Sequence, residues 1–175
     1  MNKTFKTFGV LCLLLSAVAC SSSGSVQIVQ PKTATIPPGS TVTLSVTSAL
    51  PENADVEARN DANEVMHRLR SELFGRLMSE AVFKQVLQPG EDANYRMDVK
   101  VLSAGEVSQG ARIVLGVLAG SNTLTASVLL FDQPDENLIT EIEVGGESAS
   151  HPLSSESDID DAIREAVDEI IVALR

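Results

Sequence analysis

The sequence predicts an α+β fold: a two-layer sandwich with a mostly antiparallel four-stranded sheet and two helices on one face. Two observations predict it. Every strand-like segment alternates apolar with polar residues, which gives a sheet one apolar face; a sheet covered on both sides reads instead as continuous apolar runs. Two further segments carry apolar residues at helical spacing, enough to cover that single face. The elements follow in the order strand, helix, three strands, helix.

Val42, Leu44 and Val46 alternate with Thr41, Thr43, Ser45 and Thr47, the signature of a half-buried strand. Pro51 and Asn53 end it. A helix is expected from about Val56 to Ala81, with Val65, Met66, Leu69, Leu73, Leu77 and Met78 on one stripe. Glu64 with Arg68, and Glu72 with Arg76, stand four apart in the favoured order. Gly75 inside this helix costs about 1 kcal/mol against alanine, which predicts a close packing contact there. Tyr95, Met97, Val99 and Val101 mark the second strand, and Leu124, Ala126, Val128 and Leu130 the third. Leu138, Thr140, Ile142 and Val144 mark the fourth, joined to the third by the turn Pro134-Asp135-Glu136-Asn137. Gly145 and Gly146 are expected to end that strand and open a polar loop. The last helix is expected from Asp158 to Leu174, with Ile159, Ile163, Ala166, Val167, Ile170 and Leu174 inward. Asp158, Asp160 and Asp161 fall in its first turn, where capping and the helix dipole favour negative charge.

Upstream of the fold the chain reads as an address. Lys3 and Lys6 precede a short apolar run, Val10 to Leu15, and Ala17-Val18-Ala19 leads into Cys20 and then Ser21, Ser22, Ser23 and Gly24. The run is well short of the roughly 20 residues needed to span a bilayer. The segment resembles a bacterial lipoprotein signal, in which the cysteine is acylated and becomes the new N-terminus; an ordinary cleaved secretory peptide is the alternative. Ser21 rather than Asp after the cysteine resembles the outer-membrane sorting pattern. The expected organisation is a signal peptide over 1–19, a lipidated Cys20 with a flexible tether over 20–40, and one α+β domain over 41–175. Residues 21–40, rich in Ser and then Pro, would reach about 60 Å if fully extended.

With residues 1–19 removed, 156 remain, enough to bury a core without a metal or disulfide staple. Cys12 leaves with the signal and Cys20 is the lipid site, so no pair is left to oxidise. Two of the 13 basic residues lie in the signal, while all 24 acidic ones follow residue 51, so the mature chain carries −13. That charge repels polyanions, which excludes nucleic acid as a natural partner and leaves membrane contact to the lipid. There is no Trp and one Tyr, too few aromatics for a stacking platform for bases or sugars.

No residue pattern identifies a reaction. His67 sits beside Arg68 and Arg70, and His151 precedes Pro152; both read as solvated surface residues, without the neighbours a metal needs. No Gly-x-Ser-x-Gly elbow occurs. Asp158-Ile159-Asp160-Asp161 lacks the length, central glycine and closing glutamate of a calcium loop. The unusual stretch is Ala111 to Asn122, apolar and punctuated by Gly116 and Gly120. It reads either as a buried connection or as an apolar loop for a partner or lipid, with Arg112, Gly116, Val117, Leu118 and Gly120 as the contact residues.

Arg112 ahead of Gly116-x-x-x-Gly120, a strand from Thr123 to Asp132, and a strand ending near Gly145-Gly146 together carry a resemblance. From Tyr95 to Arg175 the chain resembles a family of proteobacterial envelope lipoproteins known only as a domain of unknown function. Its usual Thr-Gly turn is replaced here by Gln133 to Asn137, and Val117 stands where an aromatic is common. The order of elements is also similar to lipopolysaccharide-assembly and transporter-auxiliary lipoproteins. A lipid anchor, a long tether, a compact α+β domain and no catalytic constellation lead to the expectation of a non-catalytic outer-membrane lipoprotein facing the periplasm, an accessory or scaffold subunit of a transport, secretion or envelope-assembly complex. An envelope protein partner and no cofactor beyond the covalent lipid on Cys20 are expected, and the family resembled carries no established catalytic residues to transfer. The alternative function is a ligand- or lipid-binding module with a cleft between helices and sheet.

Overall fold

The computed structural model describes residues 22–51, 53, 56–105, 121–133, 135–148 and 158–175. Cys20, Arg112, Gly116, Val117, Leu118, Gly120 and His151 lie outside the described residues. The elements are β1 (Ser23–Gln30), β2 (Thr41–Ser48), α1 (Val56–Ser79), β3 (Gln85–Leu87), β4 (Tyr95–Gly105), β5 (Thr123–Asp132), β6 (Asn137–Glu147) and α2 (Asp158–Leu174). All four expected strands and both expected helices are present.

The sheet itself corrects the expectation. It has six strands in the order β1-β6-β5-β4-β2-β3 and is mixed. The pairs β1/β6, β6/β5 and β5/β4 are antiparallel, while β2 pairs parallel with both β4 and β3. The parallel half follows from connectivity: α1 carries the chain back along the sheet after β2, so the strands that follow restart from the same end. β3 has only three residues, too few to alternate visibly.

β1 occupies what reads as tether in the sequence. Its composition, Ser-Gly-Ser-Val-Gln-Ile-Val-Gln, belongs to an edge strand that leaves Val26, Ile28 and Val29 exposed, so no clean alternation marks it. Residues 31–40 are held to the body as well. The Thr33 amide bonds the Ile139 carbonyl at 2.9 Å, and Lys32 Nζ bonds the Leu174 carbonyl at 3.1 Å.

One face of the sheet carries the core. Met97, Val99 and Val101 of β4 stand opposite Leu130, Val128 and Ala126 of β5, and Ile142 and Val144 of β6 continue the row; all are buried. α1 covers the β2 side with Val65, Leu69, Leu73 and Leu77, and α2 covers β5, β6 and β1 with the stripe expected of it. Met66 is half-buried, and Met78 is left exposed at the edge of its stripe.

The glycines divide into two kinds. Gly75 has nothing within 4 Å of where a Cβ would stand, so the expected close contact is not there. Gly146 does not end β6, which runs on to Glu147. It lies directly under α2, where a Cβ would sit 1.8 Å from the Ala162 carbonyl oxygen. Its β1 partner, Gly24, faces the same helix, with a Cβ 2.7 Å from Glu169 Cγ. Beyond α1 the chain reverses through Ala81 at a φ of 51°, with the Val82 amide bonding the Leu77 carbonyl at 3.2 Å, a Schellman closure made without glycine.

These contacts predict opposite outcomes for one substitution at two sites. Gly75→Ala should raise unfolding free energy by about 1 kcal/mol, through helix propensity alone. Gly146→Ala should lower it by roughly 1–3 kcal/mol or more, because backbone rather than a flexible side chain must yield. Urea denaturation of the two variants beside the parent chain reads both.

Candidate functional site

The two helices run parallel, and ion pairs fix their register. Arg68 of α1 reaches Asp160 of α2 at 3.2 Å, and eight residues on in both helices Arg76 reaches Asp168. Arg175, just past α2, pairs with Glu80 at 2.5 Å. Arg68 also holds Glu64, the pair expected from spacing. Arg76 turns to Glu80 at 3.6 Å rather than toward Glu72. The Glu64 carboxylate, followed by Asp160, raises the Arg68 pKa above its ordinary value, so this guanidinium is permanently charged. The first-turn aspartates of α2 therefore serve ion pairs, Asp160 with Arg68 and Asp161 with Arg164 at 2.9 Å. His67 is exposed on α1, as expected.

Parallel helices place both N-termini at one end of the sheet, where β2 and β4 finish. A cleft of about 530 Å³ opens there between α1 and the strand ends. Leu50, Val65, Val101, Leu102 and Ile159 form its apolar wall, and Ser48, Ser103, Asp61, Glu64 and Arg68 its polar side. A volume of that size and a wall of that kind suit a small organic ligand. The wall depends on an irregularity in β4. Pairing with β5 passes from Val101↔Ala126 to Ser103↔Thr125, so Leu102 is bulged out of register and exposed. The consecutive apolar pair Val101-Leu102 in an alternating strand is the sequence signal for it. Arg68, Leu50 and Ser103 carried no comparable signal, because the topology alone brings them together.

At the opposite end a shallower space of about 360 Å³ lies between Pro37, Pro38, Asn94, Tyr95 and Asp132. Asn94 is fixed there by the Thr41 amide at 2.9 Å. The Tyr95 ring lies 6.0 Å from that of Phe83, and burial, then the Asp132 charge, push its pKa up. The outer face of the sheet is mostly polar, with Leu129 and Phe131 half-buried in it. Arg96 lies over the Phe131 ring at 4.5 Å and bonds Asp98 at 3.1 Å and Glu136 at 3.4 Å. Among the described residues, no group of three or more His, Cys, Asp or Glu is placed to hold a metal. No helix among them is long and apolar enough to cross a membrane.

These features define a two-layer α+β domain with an open sheet face and a cleft at one end. The chain belongs to the family described as a domain of unknown function, DUF4410, which matches residues 29–152. That bears out the resemblance carried by the strands after Tyr95 and extends it back to β1, although α2 falls beyond the match. No curated protein matches the chain. Among solved structures it is similar to the PelC dodecamer from Paraburkholderia phytofirmans, at 12% identity and a TM-score of 0.55. A second crystal of that protein, carrying one substitution, gives 13% and 0.52; each comparison covers 86% of this chain and 96% of the other. A Xanthomonas campestris protein of the DUF330 family is similar at 12% identity and a TM-score of 0.43, over 87% of this chain and 89% of that one. Identities of this size speak for the fold alone.

The raised Tyr95 pKa has a definite sign in stability. As pH climbs past about 10, the unfolded chain gives up a proton that the native tyrosine still holds, so stability falls until the native group ionises too. Thermal melts between pH 9 and 11 should show this loss in the parent chain and a flatter profile in Tyr95→Phe.

Proposed function

We propose that the chain is a lipid-anchored, non-catalytic accessory subunit of a transport, secretion or envelope-assembly complex on the periplasmic side of the outer membrane. It works by contact with other proteins. The observation that carries this reading is the unused surface of the sheet. The hydrophobic core lies on one face, while the other face presents Thr47 and Lys100 exposed and Ser45, Asp98, Ser127 and Glu143 half-buried, with Leu129 and Phe131 among them. Among the described residues, β1 and β3 are the edges of the sheet, with no strand paired on their outer side. A strand edge left free is a surface that another chain can extend. PelC, whose fold is similar, is a dodecamer. A subunit with two different free edges has the head-to-tail geometry from which rings are built. The acyl anchor on Cys20 supplies location, and the domain supplies recognition.

Crosslinking in intact envelopes followed by affinity capture tests the reading, with Cys20→Ser run beside the parent. The expected result is one defined partner or a closed homo-oligomer in stoichiometric amount, lost or reduced when the anchor is removed. Recovery of the bare monomer from both would overturn it. A second reading, a ligand- or lipid-binding module, is favoured by the cleft beside Arg68. Native mass spectrometry of protein taken from envelopes would support that reading by a bound small-molecule mass lost in Leu102→Glu.

A further inference from the structure

The register of the sheet says where an anchor at Cys20 must enter. Ser23 pairs with Glu147, Glu147 with Thr123, and Thr123 with Gly105, so one row across four strands marks a single end of the domain. β2 ends and both helices begin toward that same end, and the cleft opens there. The chain is already fixed at Ser22, whose hydroxyl bonds the Glu165 carboxylate, and Gly24 lies flush under α2. Cys20 precedes Ser22 by two residues, a reach of about 7 Å. A free tether of twenty residues is therefore replaced by one too short to let the body turn over.

We propose that this end of the domain, the row Ser23–Glu147–Thr123–Gly105 with the cleft mouth beside it, is held facing the lipid surface. The inference rests on acylation of Cys20. The opposite end, with Pro37, Tyr95 and the turn through Asp135, then points into the periplasm, about 33 Å away along the ten residues of β5. The surface offered to the bilayer suits that neighbour, since Leu50 and Leu102 stand exposed at the cleft mouth. Two acyl chains or more bind a bilayer stably, so orientation needs no basic patch, and the mature charge supplies none. The open sheet face and both strand edges stand roughly upright in this arrangement, accessible from the side.

The test uses full-length acylated protein in phosphatidylethanolamine–phosphatidylglycerol vesicles carrying an energy-transfer acceptor on the lipid headgroup. A donor dye is placed at Thr123→Cys or at Asp135→Cys, both exposed positions, since Cys20 is blocked by its lipid. Transfer should be clearly stronger from residue 123 than from residue 135, and the difference should shrink when twenty Gly/Ser residues are inserted after Ser21. Equal or reversed transfer in protein that carries the acyl mass and floats with vesicles would overturn the orientation alone. Protein lacking the acyl mass on its N-terminal peptide would overturn the anchor reading and the orientation with it.

Discussion

The passage of α2 across Gly146 is the contact on which the other features depend. With the Ala162 carbonyl where a Cβ would be, the helix can lie against β6 only because that strand has no side chain there. The close approach brings α2 low enough to reach β1 at Gly24, where Glu165 and Glu169 line the helix side of the contact. β1 is thereby part of the body. With a larger residue at either position α2 would ride higher, β1 would lose its cover, and the chain ahead of β2 would be the free tether that its composition suggests. Two glycines on neighbouring strands decide whether the chain ahead of β2 is free or part of the body.

The central strands and both helices were legible because each buries one side of a regular element. Met97, Val99 and Val101 reveal β4 through period two, and Ile159, Ile163, Ala166, Val167 and Ile170 reveal α2 through period 3.6. β1 was not legible for the converse reason. At a sheet edge half the burial is missing, so Val26 and Ile28 sit exposed beside Ser and Gln, and the strand is held by β6 and by glycine contact with α2. The direction of β2 was likewise not in the sequence. Alternation tells which face a residue takes but not which neighbour its strand finds. The lining of the cleft was not read from the sequence, where the doublet Val101-Leu102 is its one signal, and the contact residues expected between Arg112 and Gly120 fall outside the described residues.

The ion pairs between the helices do different work from the core. Arg68–Asp160 and Arg76–Asp168 are partly exposed, and such pairs contribute at most about 1 kcal/mol each. Burial of leucine- or isoleucine-sized side chains, each worth roughly 1.5–3 kcal/mol, supplies the stability by a wide margin. A helix slid by one turn would still bury most of its apolar stripe, but it would bring arginine opposite the wrong residues in both rungs at once. The ladder selects the register, and the register sets how the cleft closes around Arg68 and Ile159.

That selection bears on how a domain without a recognised reaction could act. The hydrophobic core lies on one face, so among the described residues most of the other face, the two edges and the cleft remain for other molecules. Their placement is not interchangeable. The cleft shares its end with the start of β1, whereas the sheet face and the edges run the length of the domain. A body joined to a lipid through two residues would therefore meet the bilayer at the cleft end and its neighbours along its sides. For bodies anchored as proposed, lateral contact would require no search in three dimensions, because confinement to one plane and one orientation would already remove most of the freedom that association costs.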